Sequence, residues 1–374
     1  MRPWVLVCAA LALSGGARAQ EAGERLRAPN WTDWSITGVA ENDVFNYSPT
    51  HTDRYYTHGT QLSATSEPIP CERRPWLAHL ALVIEKDEAA CLAHRNGDTG
   101  AGAGPDIKYR WGFEVGQNIY TPASKQPMAD PKDRPYAGWA YGGLMLGSYS
   151  PKEANTLEVQ LGVIGPSSGA AWVQDHFHDL IRAARFLGWN NQLRDEVAFD
   201  ILAERRWRPT RLWSADWKDP TALSIDSTDH LDAALGTVQV SAAAGRALRL
   251  GIGLDADYGP PRIRPAPSGS DFIMQAHDWS AYVFAGLEGR AVAHDIFLDG
   301  NTFLNSPHVD KRWWVWEATS GAVARWRGLR VGYTYVWQSE EFLGQRGPQK
   351  FGSWSVTLLP CAYWKGCPAT FAAR

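Results

Sequence analysis

Short runs in which apolar and polar residues alternate recur along the whole chain. They cover 34–42 (WSITGVAEN), 58–66, 109–120, 137–150, 155–165, 196–207, 234–244, 246–258, 280–300, 312–326, 329–339 and 351–359. Period two sends successive side chains to opposite faces of a strand, so each run presents two unlike surfaces. Many carry Gly, Ala, Ser or Thr on one face and large apolar or aromatic residues on the other. That division suits a wall with lipid on one side and a packed polar lumen on the other. The run 280–300 is long enough for one strand or two. Taken as one, the total is about 12, an even number as in single-chain barrels of the outer membrane. A water-soluble sandwich also alternates, so the pattern needs support from elsewhere in the chain.

That support begins at the first residues, MRPWVLVCAALALSGGARAQ. Arg2 precedes an apolar run too short to span a bilayer comfortably, and "ARA" before Gln20 fits a signal-peptidase site. Residues 1–19 therefore read as an export signal and 20–374 as the mature protein. No later apolar run is long enough for a transmembrane helix. The chain holds 19 Trp and 13 Tyr, rings that suit the lipid–water boundary of a barrel. Its net charge of −3 argues against a nucleic-acid partner. The expected fold is all-β: a transmembrane antiparallel barrel of about 12 strands. Cys71, Cys91, Cys361 and Cys367 remain after cleavage, an even set that suits disulfides in an oxidising compartment. Bonds within 71–91 and 361–367, or cross-pairing between them, are all allowed.

Two stretches break the alternation. Residues 169–188 read as a helix, with Trp172, Val173, Phe177, Leu180, Ile181 and Ala184 forming an apolar stripe. Residues 67–108 form a long insert, with a second helical pattern at 75–95 and the Gly-rich RNGDTGAGAGPD before the next strand.

An even-stranded barrel with periplasmic termini sends its odd strands outward. The end of the first strand (ENDVF), the start of the second (YYTHG), the end of the third (QNIYTPASK) and the helix after the fifth then meet at one outer rim. Asn42, Asp43, Thr57, Lys125, Gln174 and His178 should gather there, and the insert and chain end should lie on the periplasmic side.

Gln174 and His178 are four apart and share a helix face. A histidine near an Asn–Asp pair and a hydroxyl can run ester hydrolysis as general base on water or on the Thr57 hydroxyl. Asp43 with nearby carbonyls can hold a hard cation such as calcium, which polarises an ester carbonyl. Asn42 can donate to the same oxyanion. Each residue also has an ordinary role: Asn42 and Asp43 as turn formers, Thr57 as a strand residue, His178 as a solvated helix residue. Lys125 is a loop charge that an anionic headgroup would attract, and Arg134 can pair with Asp133 or a phosphate. His51, His58 and His176 compete with His178, and spacing alone does not choose. On simple alternation, His58 lies on the strand face opposite Thr57.

The motifs ENDVF, TDRYYTHG, GQNIYTP, DRPYAGW, GVIGPSSGAAWVQDHFH and GWNNQL, in this order, resemble the lipid A 3′-O-deacylase family of outer-membrane enzymes. The resemblance carries specific motifs as far as residue 210 and β-pattern beyond it. It implies a 12-stranded, monomeric barrel among outer-membrane lipids that removes the 3′-linked acyl chain of lipid A with calcium. It also implies His178 as the base that activates water, with Asn42, Thr57 and Gln174 beside it and Asp43 on the metal. Lys125 and Arg134 would then face the lipopolysaccharide. Two departures stand out: Val44 and Ala184 occupy positions where some members carry an acidic residue. An outer-membrane phospholipase or a non-catalytic barrel are the alternatives. The first would suit a serine nucleophile, and the second would need no histidine-bearing helix.

Overall fold

The computed structural model describes residues 34–46, 53–70, 107–128, 130–150, 153–256, 258–259 and 279–364. All belong to one compact unit, Thr32–Arg374. The signal segment, most of the 67–108 insert with its helical pattern, and Cys71, Cys91 and Cys367 lie outside the described residues. Cys361 is disulfide-bonded, to a partner that also lies outside them.

The strands are β1 (Ser35–Asn42), β2 (Tyr55–Thr65), β3 (Ile69–Pro70), β4 (Lys108–Thr121), β5 (Ala137–Tyr149), β6 (Glu153–Ile164) and β7 (Glu196–Ser214). They continue as β8 (Ser224–Gly236), β9 (Gln239–Ile252), β10 (Trp279–Asp295), β11 (Trp314–Trp326), β12 (Leu329–Gln338) and β13 (Gln349–Leu358). Pairing is antiparallel throughout, and β13 returns to β1, with Ile36 opposite Leu358 and Asn42 opposite Gly352. The two-residue β3 pairs with β4 at Ile69–Tyr109, just beyond the last β2–β4 pair, Thr65–Gly112. It extends β2 rather than adding a stave. Twelve strands thus close the ring and leave no open edge in it.

The 280–300 run is a single strand, β10, followed by the short helix α2 (Ile296–Asp299), which comes after α1 (Ala170–Ile181) in the chain. Two sequence boundaries are corrected. The runs 234–244 and 246–258 are not separate strands: the chain turns at Thr237–Val238, and β9 spans the break between them. The strand missed is β8, SIDSTDHLDAALG. Its inward Asp226 and Asp232 are buried, so charges stand where an apolar face was sought.

The wall is inverted relative to a soluble protein. Outward positions such as Leu144, Leu161, Leu235 and Leu287 are exposed, while Glu114, Glu158, Glu204, Arg249 and Glu317 are buried inside. Such charges survive because they are paired. Arg249 grips Asp226 with two hydrogen bonds of 2.9 and 2.8 Å, and Glu114 accepts from Gln160 at 2.8 Å. Exposed Trp279 and Trp326 ring one end of the outer wall, and Trp313, Trp314 and Trp316 the other, as in the aromatic girdles of membrane barrels.

Six connections meet at the end that carries Asn42: 42–55, 121–137, 164–196, 236–239, 295–314 and 338–349. There α2 plugs the lumen. Phe297 stacks on Tyr120 at 4.0 Å, within a cluster that includes Tyr56, Trp139, Val238 and Phe351. The lumen mouth is therefore closed by apolar packing, and the polar chemistry of this rim lies elsewhere.

Candidate active site

That chemistry sits on the outside of the wall, under helix α1. Along β1 and β4, Asn42 and Ile119 fall on the outward faces. β2 would place only one of Thr57 and His58 there, but its register against β4 shifts between Tyr56 and His58. A bulge inserts one unpaired residue and re-aims its neighbours. Tyr56 points inward, where its hydroxyl donates to Glu41 at 2.8 Å, and Thr57 and His58 both line the same outer cavity. The expectation that they face opposite ways is thus overturned.

Helix α1 is capped in front by Gly169, which adopts φ 72°, and behind by Arg182, at φ 56°. It can lie close to β5 because residue 138 is a glycine. A Cβ there would come within 2.2 Å of Ser168 Oγ and 2.3 Å of Ala170 Cβ. The helix is shorter than the 169–188 pattern, and its buried face is Ala170, Gln174 and His178. The apolar stripe faces away from the wall: Trp172, Leu180 and Ile181 are exposed. In a membrane rim the apolar medium is outside, so the amphipathic helix turns its polar face to the protein.

Between this face and the wall lies a cavity of about 250 Å³, lined among others by Asn42, Asp43, Asp53, Thr57, Lys125, Gln174 and His178. Six of the seven residues singled out in the sequence meet here. The left-handed Arg182 lets Ala183 N donate back to His178 O at 2.8 Å. This turn returns the Ala184 carbonyl over the ring, and His178 Nδ1 lies 2.8 Å from that oxygen. A carbonyl only accepts, so Nδ1 carries the hydrogen, and in the neutral ring Nε2 keeps its lone pair. Nε2 is 3.4 Å from Asp53 Oδ2.

The two amides are oriented by the same logic. Asn42 Oδ1 accepts from Val44 N at 2.8 Å, and Gln174 Oε1 accepts from Trp189 Nε1, a pure donor, at 3.1 Å. Both NH2 groups are left as donors, and that of Asn42 lies 3.5 Å from His58 Nδ1. The Thr57 hydroxyl donates to Ile119 O at 3.3 Å. Lys125 Nζ reaches Asp53 Oδ2 at 2.5 Å and Ala184 O at 3.2 Å, and stands 4.7 Å over the Phe186 ring.

Asp43 is buried and accepts from Arg54 N at 3.1 Å. Desolvation, and then the negative charge of Asp53, hold its carboxyl well above the ordinary value of 3.8. A buried carboxylate repelled by a second one is a place where a cation lowers the energy. The Asp43 and Asp53 carboxylates and the Thr57 hydroxyl line this cavity, oxygens of the kind calcium takes. Val44 and Ala184 offer no carboxylate, so the second acidic group of the cavity is Asp53.

Arg134 lies elsewhere. It is fully buried, pairs with Glu341 at 3.0 Å and stands 4.6 Å over Tyr120. Asp133, one suggested partner, accepts from the Arg134 backbone N at 2.9 Å and not from the guanidinium. Asp53 was passed over in the sequence because it precedes β2, where no periodicity indicates direction. Its one signal is its place in TDRYYTHG, four residues before Thr57.

The family model described as "Outer membrane protein LpxR" matches residues 5–359. Among solved structures, LpxR from Salmonella typhimurium superposes with a TM-score of 0.66 at 18% identity, covering 87% of this chain and 99% of that one. The β-domain of the Bordetella autotransporter BrkA covers 87% of this chain and 98% of that one, at 9% identity and a TM-score of 0.34. The translocator domain of NalP from Neisseria meningitidis covers 88% and 90%, also at 9% identity and 0.34. No curated protein matches this chain.

Proposed function

Because this chain belongs to the outer membrane protein LpxR family, we propose that it hydrolyses the ester holding the 3′-linked acyl chain of lipid A. The observation that carries this reading is the fixed tautomer of His178, whose Nε2 shares a cavity with Asn42, Asp43, Thr57 and Gln174. The cavity opens on the outer wall, so an acyl chain in the leaflet reaches it sideways without entering the lumen. Ile119, Val173, Phe177 and Ile181 supply apolar lining for that chain.

In the proposed reaction, a water oxygen attacks the acyl carbonyl carbon and gives a proton to His178 Nε2. The amide donors of Asn42 and Gln174 hold the oxyanion of the tetrahedral intermediate. His178 then returns the proton to the sugar oxygen as the ester C–O bond breaks, leaving a free sugar hydroxyl and a fatty acid. Bound calcium, held by the Asp43 carboxylate with Asp53 nearby, would supply Lewis-acid polarisation of the carbonyl. Lys125 would meet an anionic group of the headgroup from beside the cavity. Water rather than Thr57 is the nucleophile in this reading, because the Thr57 hydroxyl already donates to Ile119 O. The phospholipase alternative loses ground, since no serine lines the cavity among the described residues.

Mass spectrometry of lipid A from cells expressing the wild type and His178→Ala, each with and without a calcium chelator, tests the proposal. Loss of one 3′-linked acyl group, abolished by either perturbation, is the expected result. Unchanged lipid A beside a folded, heat-modifiable wild-type barrel would overturn it.

A further inference from the structure

A second group of ligand-type side chains lies inside the barrel, away from the rim cavity. His230 on β8 faces Gly245 on β9, and Gly245 faces Glu288 on β10. The three therefore lie on one row across three strands. Strands two apart are separated by roughly 9.5 Å, so their side chains meet only if the strand between does not intervene. Gly245 provides that gap: a Cβ there would come within 2.4 Å of His230 Cε1 and 2.5 Å of Nε2. Across it, His230 Nε2 reaches Glu288 Oε2 at 3.1 Å. Asp232 Oδ2, two residues along β8, is 3.6 Å from the same nitrogen. One ligand atom from each residue falls within 4.8 Å of the others, and no other such group of three occurs among the described residues. Asp232 and Glu288 are buried and His230 nearly so. Glu288 binds Arg290 Nη2 through its other oxygen, Oε1, at 3.0 Å, which fixes the carboxylate and leaves Oε2 directed at the group.

We propose that His230, Asp232 and Glu288 form a lumen site for a divalent transition-metal ion of the zinc class. One imidazole nitrogen with two carboxylates is a mixed donor set that suits zinc, manganese or cobalt rather than calcium. It contrasts with the all-oxygen set at the rim, so the two sites select different ions. A bound ion ties β8 to β10 across β9 and braces the lumen.

The test uses the full-length barrel folded in detergent, stripped with chelator, loaded with zinc and desalted, with metal counted by mass spectrometry. His230→Gln and Glu288→Gln are compared with the wild type and with His178→Ala, which removes the rim histidine, and each is checked for heat-modifiable folding. Wild type and His178→Ala should retain zinc, and both lumen variants should lose at least tenfold in apparent affinity. No retained zinc in the wild type, or equal retention in folded lumen variants, would overturn the proposal. Should both variants misfold, cobalt bound to the wild type decides: a visible absorption band displaced by zinc but not by calcium supports the site. A cobalt spectrum indifferent to zinc sinks it.

Discussion

At the scale of single residues, the rim cavity works by using up the wrong ends of its side chains. Ala184 O takes the Nδ1 hydrogen of His178, Val44 N takes the oxygen of Asn42, and Trp189 takes the oxygen of Gln174. What remains is one basic nitrogen and two amide donors. His178→Ala should therefore lower deacylation by about 10²–10⁴-fold, and Asn42→Ala by about 10²–10³-fold, with the barrel still heat-modifiable. Both are read from the rate of acyl release. Asp43 gives a pH dependence whose sign can be worked out. Its folded pKa lies above the unfolded value of 3.8, so in the window between the two the folded state holds more protons. The cation-free protein is then favoured by Asp43 at low pH and loses that contribution as pH rises through the window. Calcium needs the ionised carboxylate, so its affinity should run the other way and rise with pH. Calorimetric titrations at acid and alkaline pH, repeated on Asp43→Asn, check this; an affinity independent of pH would refute it.

At the scale of elements, the bulge in β2 and the seat of α1 decide whether these groups meet. Gly138 is where the helix base approaches the wall most closely. Gly138→Val should cost about 1–3 kcal/mol through overpacking, concentrated where Ser168 and Ala170 touch β5. The expected outcome is a barrel that still folds but has lost most of its activity, because Gln174 and His178 move together with the helix. Full activity in that variant would show that the helix seat does not govern the site. The outward Trp172, Leu180 and Ile181 explain why a helix with two buried polar residues is stable at all: its apolar side is turned to lipid.

At the scale of the whole molecule, stability rests on closure and on paired charges inside. Arg249→Ala removes at least three hydrogen bonds among the described residues, two to Asp226 and one of 2.7 Å to Leu254 O, and takes the two-pronged guanidinium partner from a buried carboxylate. Such a loss costs about 3–5 kcal/mol, visible as a lower unfolding temperature with acyl release unchanged below it. The sequence alone determined the all-β class, the strand count and the gathering of Asn42, Asp43, Thr57, Lys125, Gln174 and His178 at one end. Alternation and even-stranded topology are local rules that need no knowledge of what packs against what. It misplaced β8, because a lumen-facing strand can carry Asp226 and Asp232 where a soluble strand carries apolar residues. It placed Gln174 and His178 on the face of α1 that meets the rim, but periodicity alone does not show which medium the apolar stripe faces. Tertiary structure alone decided the bulge that sets Thr57 beside His58, the approach of Asp53 to His178, and the capture of Arg134 by Glu341. The last two join residues 125 and 207 positions apart, the first depends on one unpaired residue in a ladder, and their geometry exists only once the ring has closed.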